Sequence, residues 1–207
     1  MNQILSKIYR NDIYAEFIPL EESISGWGGN DPIFEQLVDR IRPRVVFEVG
    51  CWKGQSTITL ADACKRRQLN CSIVCIDTWL GSEEHIFGNA RQLKRVNGYP
   101  TLYRQFLSNI VRRGHQDIVV PLATTSLSAA SILDKLQITA DLVYIDANHR
   151  YEAVMADLVA FTSLVSKSGL IFGHDYDRES VRHALCDFCN TTRQTYTVQN
   201  DFWILLK

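Results

Sequence analysis

Val45-Val46-Phe47-Glu48-Val49-Gly50-Cys51-Trp52-Lys53-Gly54-Gln55-Ser56 decides how the rest of the chain is read. It opens as a β-branched, aromatic run, the composition of a short buried strand. Two glycines, Gly50 and Gly54, break that pattern. Ile58, Ala61 and Cys64 then recur at helical spacing. Gly50 lets the backbone turn sharply and lets a ligand approach the peptide plane with no Cβ in the way. The helix after Gly54 directs its free N–H groups back toward the strand end. In an open α/β sheet, ligands bind in that crevice, at the carboxyl ends of the strands.

The ligand class follows from the turn. A dinucleotide site requires G-x-G-x-x-G, whose glycines leave room for a pyrophosphate on the helix N-terminus. Trp52 stands where the second glycine would be, and Glu48 disfavours an anion close by. A carboxylate suits a cation or a hydroxylated ligand, and S-adenosylmethionine (SAM) has a sulfonium, an amino group and no phosphate. The E-x-G-x-x-x-G turn resembles the first motif of class I SAM-dependent methyltransferases. Two competing readings stay open: a nicotinamide-dependent oxidoreductase on a Rossmann-type sheet, and a catalytically silent SAM-binding relative.

The totals set bounds. With 207 residues the chain forms one domain, or one domain plus a small extension. Apolar residues at 46% and charged residues at 22% provide for a full core and argue against disorder. A formal net charge of −1 gives no basic excess for a phosphate backbone, so nucleic acid is excluded as the main partner. No apolar run approaches the roughly 18 residues of a membrane span. The N-terminus lacks the charged-then-apolar order of a signal peptide. The six scattered cysteines read as reduced, buried thiols, and a cytoplasmic protein is expected. Cys186-x-x-Cys189 has no second pair and reads as helix packing rather than a zinc site. An oligomer of the chain is left open.

Residues 1–30 show no clear pattern and are expected to be an extension, or a flap over the active site carrying Trp27 in a glycine-rich loop. Asp31-Pro32 predicts a helix start, followed by Phe34, Leu37, Val38 and Ile41. Cys71 to Asp77 predicts a second strand ending in a carboxylate. Residues 80–99 read as a long loop, where His85 beside two glutamates is either a metal cluster or solvated. Further strands are expected at 118–120, 142–146 and 169–175. Helices are expected from Leu102 to Val111, from Ser126 to Leu136, from Tyr151 to Val165 and from Val181 to Phe188. A closing hairpin turns at Asn200-Asp201. The alternation predicts a three-layer, Rossmann-like α/β fold.

Several polar groups fall at predicted strand ends on one edge of the sheet: Glu48, Asp77, Asp146, His174 and Asp175. Asp77, about one βαβ unit after Gly50, is placed to accept ribose hydroxyls, and Trp79 to lie against an adenine. Two carboxylates suit Mg²⁺, and adding an imidazole tilts the site toward Mn²⁺, Fe²⁺ or Zn²⁺. His149 has an ordinary pKa near 6.5, which suits removal of a hydroxyl proton, and a helix N-terminus would keep it neutral.

Phe47 to Ser56, Asp77 to Ser82, Ile145 to Glu152 and Gly173 to Asp175 together resemble one branch of the class I methyltransferases. That branch includes natural-product sugar O-methyltransferases and is related to catechol O-methyltransferases and cephalosporin-hydroxylase-like proteins. Over residues 31–207 the resemblance implies a seven-stranded, mostly parallel sheet of order 3-2-1-4-5-7-6 with one antiparallel strand. It implies a SAM site formed by Glu48, Gly50, Trp52, Gly54, Ser56, Asp77, Thr78, Trp79, Thr125, Ser126 and Asp146. It implies a divalent cation, Mg²⁺ or Mn²⁺, on Asp146, His174 and Asp175, with His149 as base. His174 departs from the family pattern, which usually has a carboxylate there. The partner implied is a small hydroxylated acceptor, such as a sugar.

Overall fold

The computed structural model describes residues 2–88 and 90–206. Seven strands form the central sheet: β1 (Val45–Val49), β2 (Ser72–Asp77), β3 (Val119–Ala123), β4 (Ala140–Ile145), β5 (Val165–Gly173), β6 (Thr195–Gln199) and β7 (Phe202–Leu206). Their spatial order is β3-β2-β1-β4-β5-β7-β6. β1 pairs parallel with β2 and β4, β2 with β3, and β4 with β5. Only β7 runs against its neighbours, β5 and β6, because a tight turn at Asn200 reverses the chain. The expected order and the single antiparallel strand are both present.

Period-2 alternation divides the core in two. Val46, Ile73, Leu142, Tyr144 and Phe172 face α2 (Ile33–Ile41), α3 (Gln55–Arg66) and α5 (Leu102–Arg112). Phe47, Val49, Val74, Val143 and Trp203 face the opposite layer, α6 (Ser126–Lys135), α7 (Tyr151–Thr162) and α8 (Glu179–Thr192). Buried on both faces, a parallel sheet reads as continuous apolar runs, which is why the central strands are legible. All six cysteines are free; Cys189 packs in the core, whereas Cys186 is exposed on α8 and departs from the expected buried thiols.

Several boundaries differ from expectation. α1 (Gln3–Ile8) lies in the segment read as irregular, where Ile4 and Leu5 enter the core. Tyr9 and Tyr14 donate their hydroxyls to the carbonyls of Pro121 and Val119, and α5 holds residues 20–23 through Ser108 and Asn109. The 80–99 segment contains α4 (Glu83–Phe87), a 3₁₀ turn (Ala90–Leu93) and a two-residue ladder between Arg95–Val96 and Tyr99–Pro100. These elements are too short to show periodicity. α7 stops at Thr162, and Val165 begins β5, whose register on β4 shifts between Ala140 and Leu142. Val159 points outward, so α7 is less cleanly amphipathic than its spacing implies.

Candidate active site

The turn after β1 is built as its glycines require. Gly50 has φ +90°, and a Cβ there would lie 2.0 Å from the Asp146 carbonyl oxygen, so β1 and β4 approach at a distance only glycine tolerates. Gly54, at φ +85°, starts α3 in the left-handed region. Oδ2 of Asp77 accepts the backbone N–H groups of Cys51 at 3.0 Å and Trp52 at 2.9 Å, while Oδ1 accepts that of Trp79 at 2.7 Å. Burial raises the Asp77 carboxyl, and these backbone donors oppose the shift. Asp77 therefore braces the turn.

Gly50, Trp52, Ser56, Asp77, Thr78, Thr125, Ser126 and Asp146 line one large cavity of about 1520 Å³. Thr125 also caps α6, accepting the Ser128 N–H. Three expected cofactor residues do not line it, which corrects their placement. Glu48 is fully buried on the α3 face of β1, where it accepts hydroxyl hydrogen bonds from Ser56 and Thr57. Its carboxyl is pushed up to about 7, foremost by burial. Trp79 turns inward at φ +50°, packs on Tyr103 and Phe106, and donates its indole N–H to the Trp52 carbonyl. It is 2% exposed and cannot lie against an adenine. Gly54 packs under Phe106.

The ends of β4 and β5 meet in the same cavity. Nε2 of His149 stands 2.7 Å from Oδ2 of Asp175 and 3.7 Å from Oδ1 of Asp146. Nδ1 of His174 lies 3.9 Å from Asp146 and 3.6 Å from Asp175, and its Nε2 lies 3.4 Å from Asp201. These contacts are close but poorly aligned: His149 Nε2 and His174 Nδ1 are buried without a linear hydrogen bond. Burial works against the His149 imidazolium, but Asp146 and Asp175 outweigh it and raise the pKa to about 9. The expectation of a neutral imidazole kept by a helix dipole is corrected: His149 precedes the α7 cap, Arg150, and two carboxylates dominate its surroundings. His174 is raised for the same reason, against burial. Burial also acts on Asp175, but His149, His174 and Arg178 hold it well below the usual carboxylate range.

Oxygen and imidazole donors around two misaligned ring nitrogens suit a divalent cation with mixed N/O preference. Asp146, His149 and Asp175, and separately His174, Asp175 and Asp201, bring one donor atom each within 4.8 Å. Asp201 was legible only as a turn residue; the strand order carries the hairpin beside β5 and so into the site. A buried group of Glu48, Cys51 and Cys75 has similar spacing, but Ser56 and Thr57 already engage the Glu48 oxygens.

The cavity is also lined by segments whose roles the sequence left open. Trp27, 62% exposed, packs at 6.2 Å from Trp52, which stacks on His85 at 4.3 Å. His85 joins none of the candidate metal-ligand groups among the described residues; its Nδ1 accepts the Ser82 N–H in a capping box. Glu83 forms a two-pronged pair with Arg150 at 2.8 Å, and Glu84 lies 3.5 Å from Arg178. Exposed pairs of this kind contribute about 0–1 kcal/mol each.

A family model described as a methyltransferase domain matches residues 47–176. An uncharacterized protein of Sinorhizobium fredii is 25% identical over 151 residues, 73% of this chain. The chain spans 15% of that relative's length. Among solved structures, an O-methyltransferase of Bacillus cereus in complex with S-adenosylhomocysteine (SAH) aligns at TM-score 0.60 and 18% identity, covering 99% of this chain and 90% of that one. An O-methyltransferase of tomaymycin synthesis from Streptomyces achromogenes, bound to SAM, aligns at 0.61 and 16%, covering 99% and 89%. A TDP-rhamnose 3′-O-methyltransferase of calicheamicin biosynthesis aligns at 0.60 and 18%, covering 84% and 76%. These structures share the fold.

Proposed function

The chain belongs to the methyltransferase domain family, and on that premise we propose that it transfers the methyl group of SAM to a hydroxyl of a small molecule. One observation carries this reading: a single cavity is lined both by the Gly50–Asp77 turn and by Asp146, His149, His174 and Asp175. SAM occupies the half bounded by Gly50, Trp52, Ser56, Asp77, Thr78, Thr125 and Ser126. The acceptor lies in the other half.

The neutral form of His149, which gains population as pH rises toward about 9, accepts the hydroxyl proton, and Asp175, 2.7 Å from its Nε2, orients the ring. The acceptor oxygen attacks the methyl carbon in line, the C–S bond breaks, and its electron pair stays on sulfur as SAH. Holding oxygen and methyl in register is the main contribution, because alignment can supply roughly 7–11 kcal/mol of the barrier. Asp146, His174 and Asp175 are the residues that would hold a divalent cation. Such a cation supplies positive charge that lowers the pKa of an adjacent hydroxyl.

Titration of the protein with SAH by calorimetry tests the cofactor half, with a micromolar-range heat expected. Metal-supplemented transfer of labelled methyl onto sugars, catechols and polyketide glycosides tests the acceptor half. Binding of a nicotinamide dinucleotide but neither SAM nor SAH would overturn the proposal.

A further inference from the structure

We propose that Glu83 and Glu84 of α4 determine the charge class of the acceptor: they occupy the arginines at the cavity mouth and so reject phosphorylated substrates. This inference rests on the methyltransferase reading of the cavity. Among the described residues that line it, the permanently charged cations are Arg150 and Arg178. Both would face a phosphate entering the acceptor half, since Arg150 follows His149 and Arg178 reaches Asp175.

Neither is free. Arg150 spends Nε and one terminal nitrogen on the two Glu83 oxygens, each at 2.8 Å. That two-pronged geometry is the one a phosphate would otherwise use. Arg178 is divided between Asp175 at 3.0 Å and Glu84 at 3.5 Å. Glu152, Glu179 and Asp201 add further carboxylates to the lining, so the mouth presents negative charge beyond its pairs. An anionic group arriving there meets repulsion and no unpaired guanidinium, whereas a neutral or cationic acceptor meets neither cost. α4 buries no residue of its own. Besides its ion pairs, it is held by the Ser82–His85 capping box and by the stacking of His85 on Trp52. The two glutamates therefore sit over the acceptor half without serving the core.

The test uses inorganic pyrophosphate as a charge probe, titrated by calorimetry in metal-free buffer into the whole protein, with and without SAH. Wild type is expected to give no heat at millimolar probe. A Glu83→Gln/Glu84→Gln variant, which keeps the shape of α4, is expected to bind pyrophosphate at least about tenfold more tightly by freeing both guanidiniums. Adding Arg150→Ala to that variant is expected to remove most of the gain. Pyrophosphate binding by wild type, an unchanged double variant, or a gain that survives Arg150→Ala would each overturn the assignment. A wild type that fails to bind SAH counts against the methyltransferase reading instead, and the probe arm without SAH is still decisive for Glu83 and Glu84.

Discussion

The Trp52 backbone N–H donates to the Asp77 carboxylate at 2.9 Å, tying the end of β2 to the turn after β1. Asp77 has this structural task before any ligand arrives. Two of its hydrogen bonds hold the turn, and the residue also lines the cavity. Asp77→Ala is expected to weaken SAH binding at least about tenfold, leaving turn donors unpaired at about 1–3 kcal/mol of stability. Exposed Asp39→Ala on α2 serves as the control. Calorimetry and urea denaturation separate the two effects; unchanged SAH affinity would remove Asp77 from the cofactor site.

Gly50→Ala probes the close approach of the β1 turn to the end of β4. The new Cβ would meet the Asp146 carbonyl oxygen at 2.0 Å with φ at +90°, so β1 and β4 must part. Overpacking and left-handed strain together predict a loss of about 2–4 kcal/mol, read from the shift in urea midpoint. A midpoint within error of wild type would show that this turn is softer than its contacts imply.

Glu48 makes stability depend on pH. Its carboxyl is raised from 4.5 to about 7, foremost by burial, against the Ser56 and Thr57 hydroxyls and with the charge of Asp146 adding to the rise. A carboxyl that holds its proton more tightly when folded contributes stability that is full below the unfolded value. That contribution is lost as pH rises through the folded value. Across pH 4.5 to 7, wild type is therefore expected to lose on the order of 3 kcal/mol relative to Glu48→Gln, whose amide cannot titrate. Parallel urea midpoints for the two proteins over that range would contradict this account.

His149 and Asp175 are expected to fail in different ways. His149→Ala should leave SAH binding intact and slow methyl transfer by about 10² to 10⁴, the range for a lost general base. Asp175→Asn should weaken cation binding, so that added Mn²⁺ restores part of its activity and none of that of His149→Ala. Activity undiminished by EDTA would refute the cation, and a wild-type rate from His149→Ala would refute the base.

Strand alternation, the glycine turn and the carboxylates at strand ends were all legible in the chain, because each is a local pattern. Continuous apolar runs mark a sheet buried on both faces, and the spacing of those runs with helices marks parallel pairing. α1 and the short elements of 80–99 were not legible. α1 has six residues and α4 has five, too few for a helical period to declare itself.

By itself the sequence determined the α/β alternation, the turn at Gly50 and Gly54, and which polar residues end which strands. Tertiary structure alone decided which way those residues face. Glu48 belongs to the same motif as Gly50, but strand parity turns it toward Ser56 and Thr57 instead of the cavity. Trp79 follows Asp77 directly, but a positive φ sends its ring under α5. Glu83 and Arg150 are 67 positions apart and meet only because the sheet order brings α4 over the start of α7. A side chain's direction and its distant partners are set by the packing of whole elements, and no local window of residues contains that information.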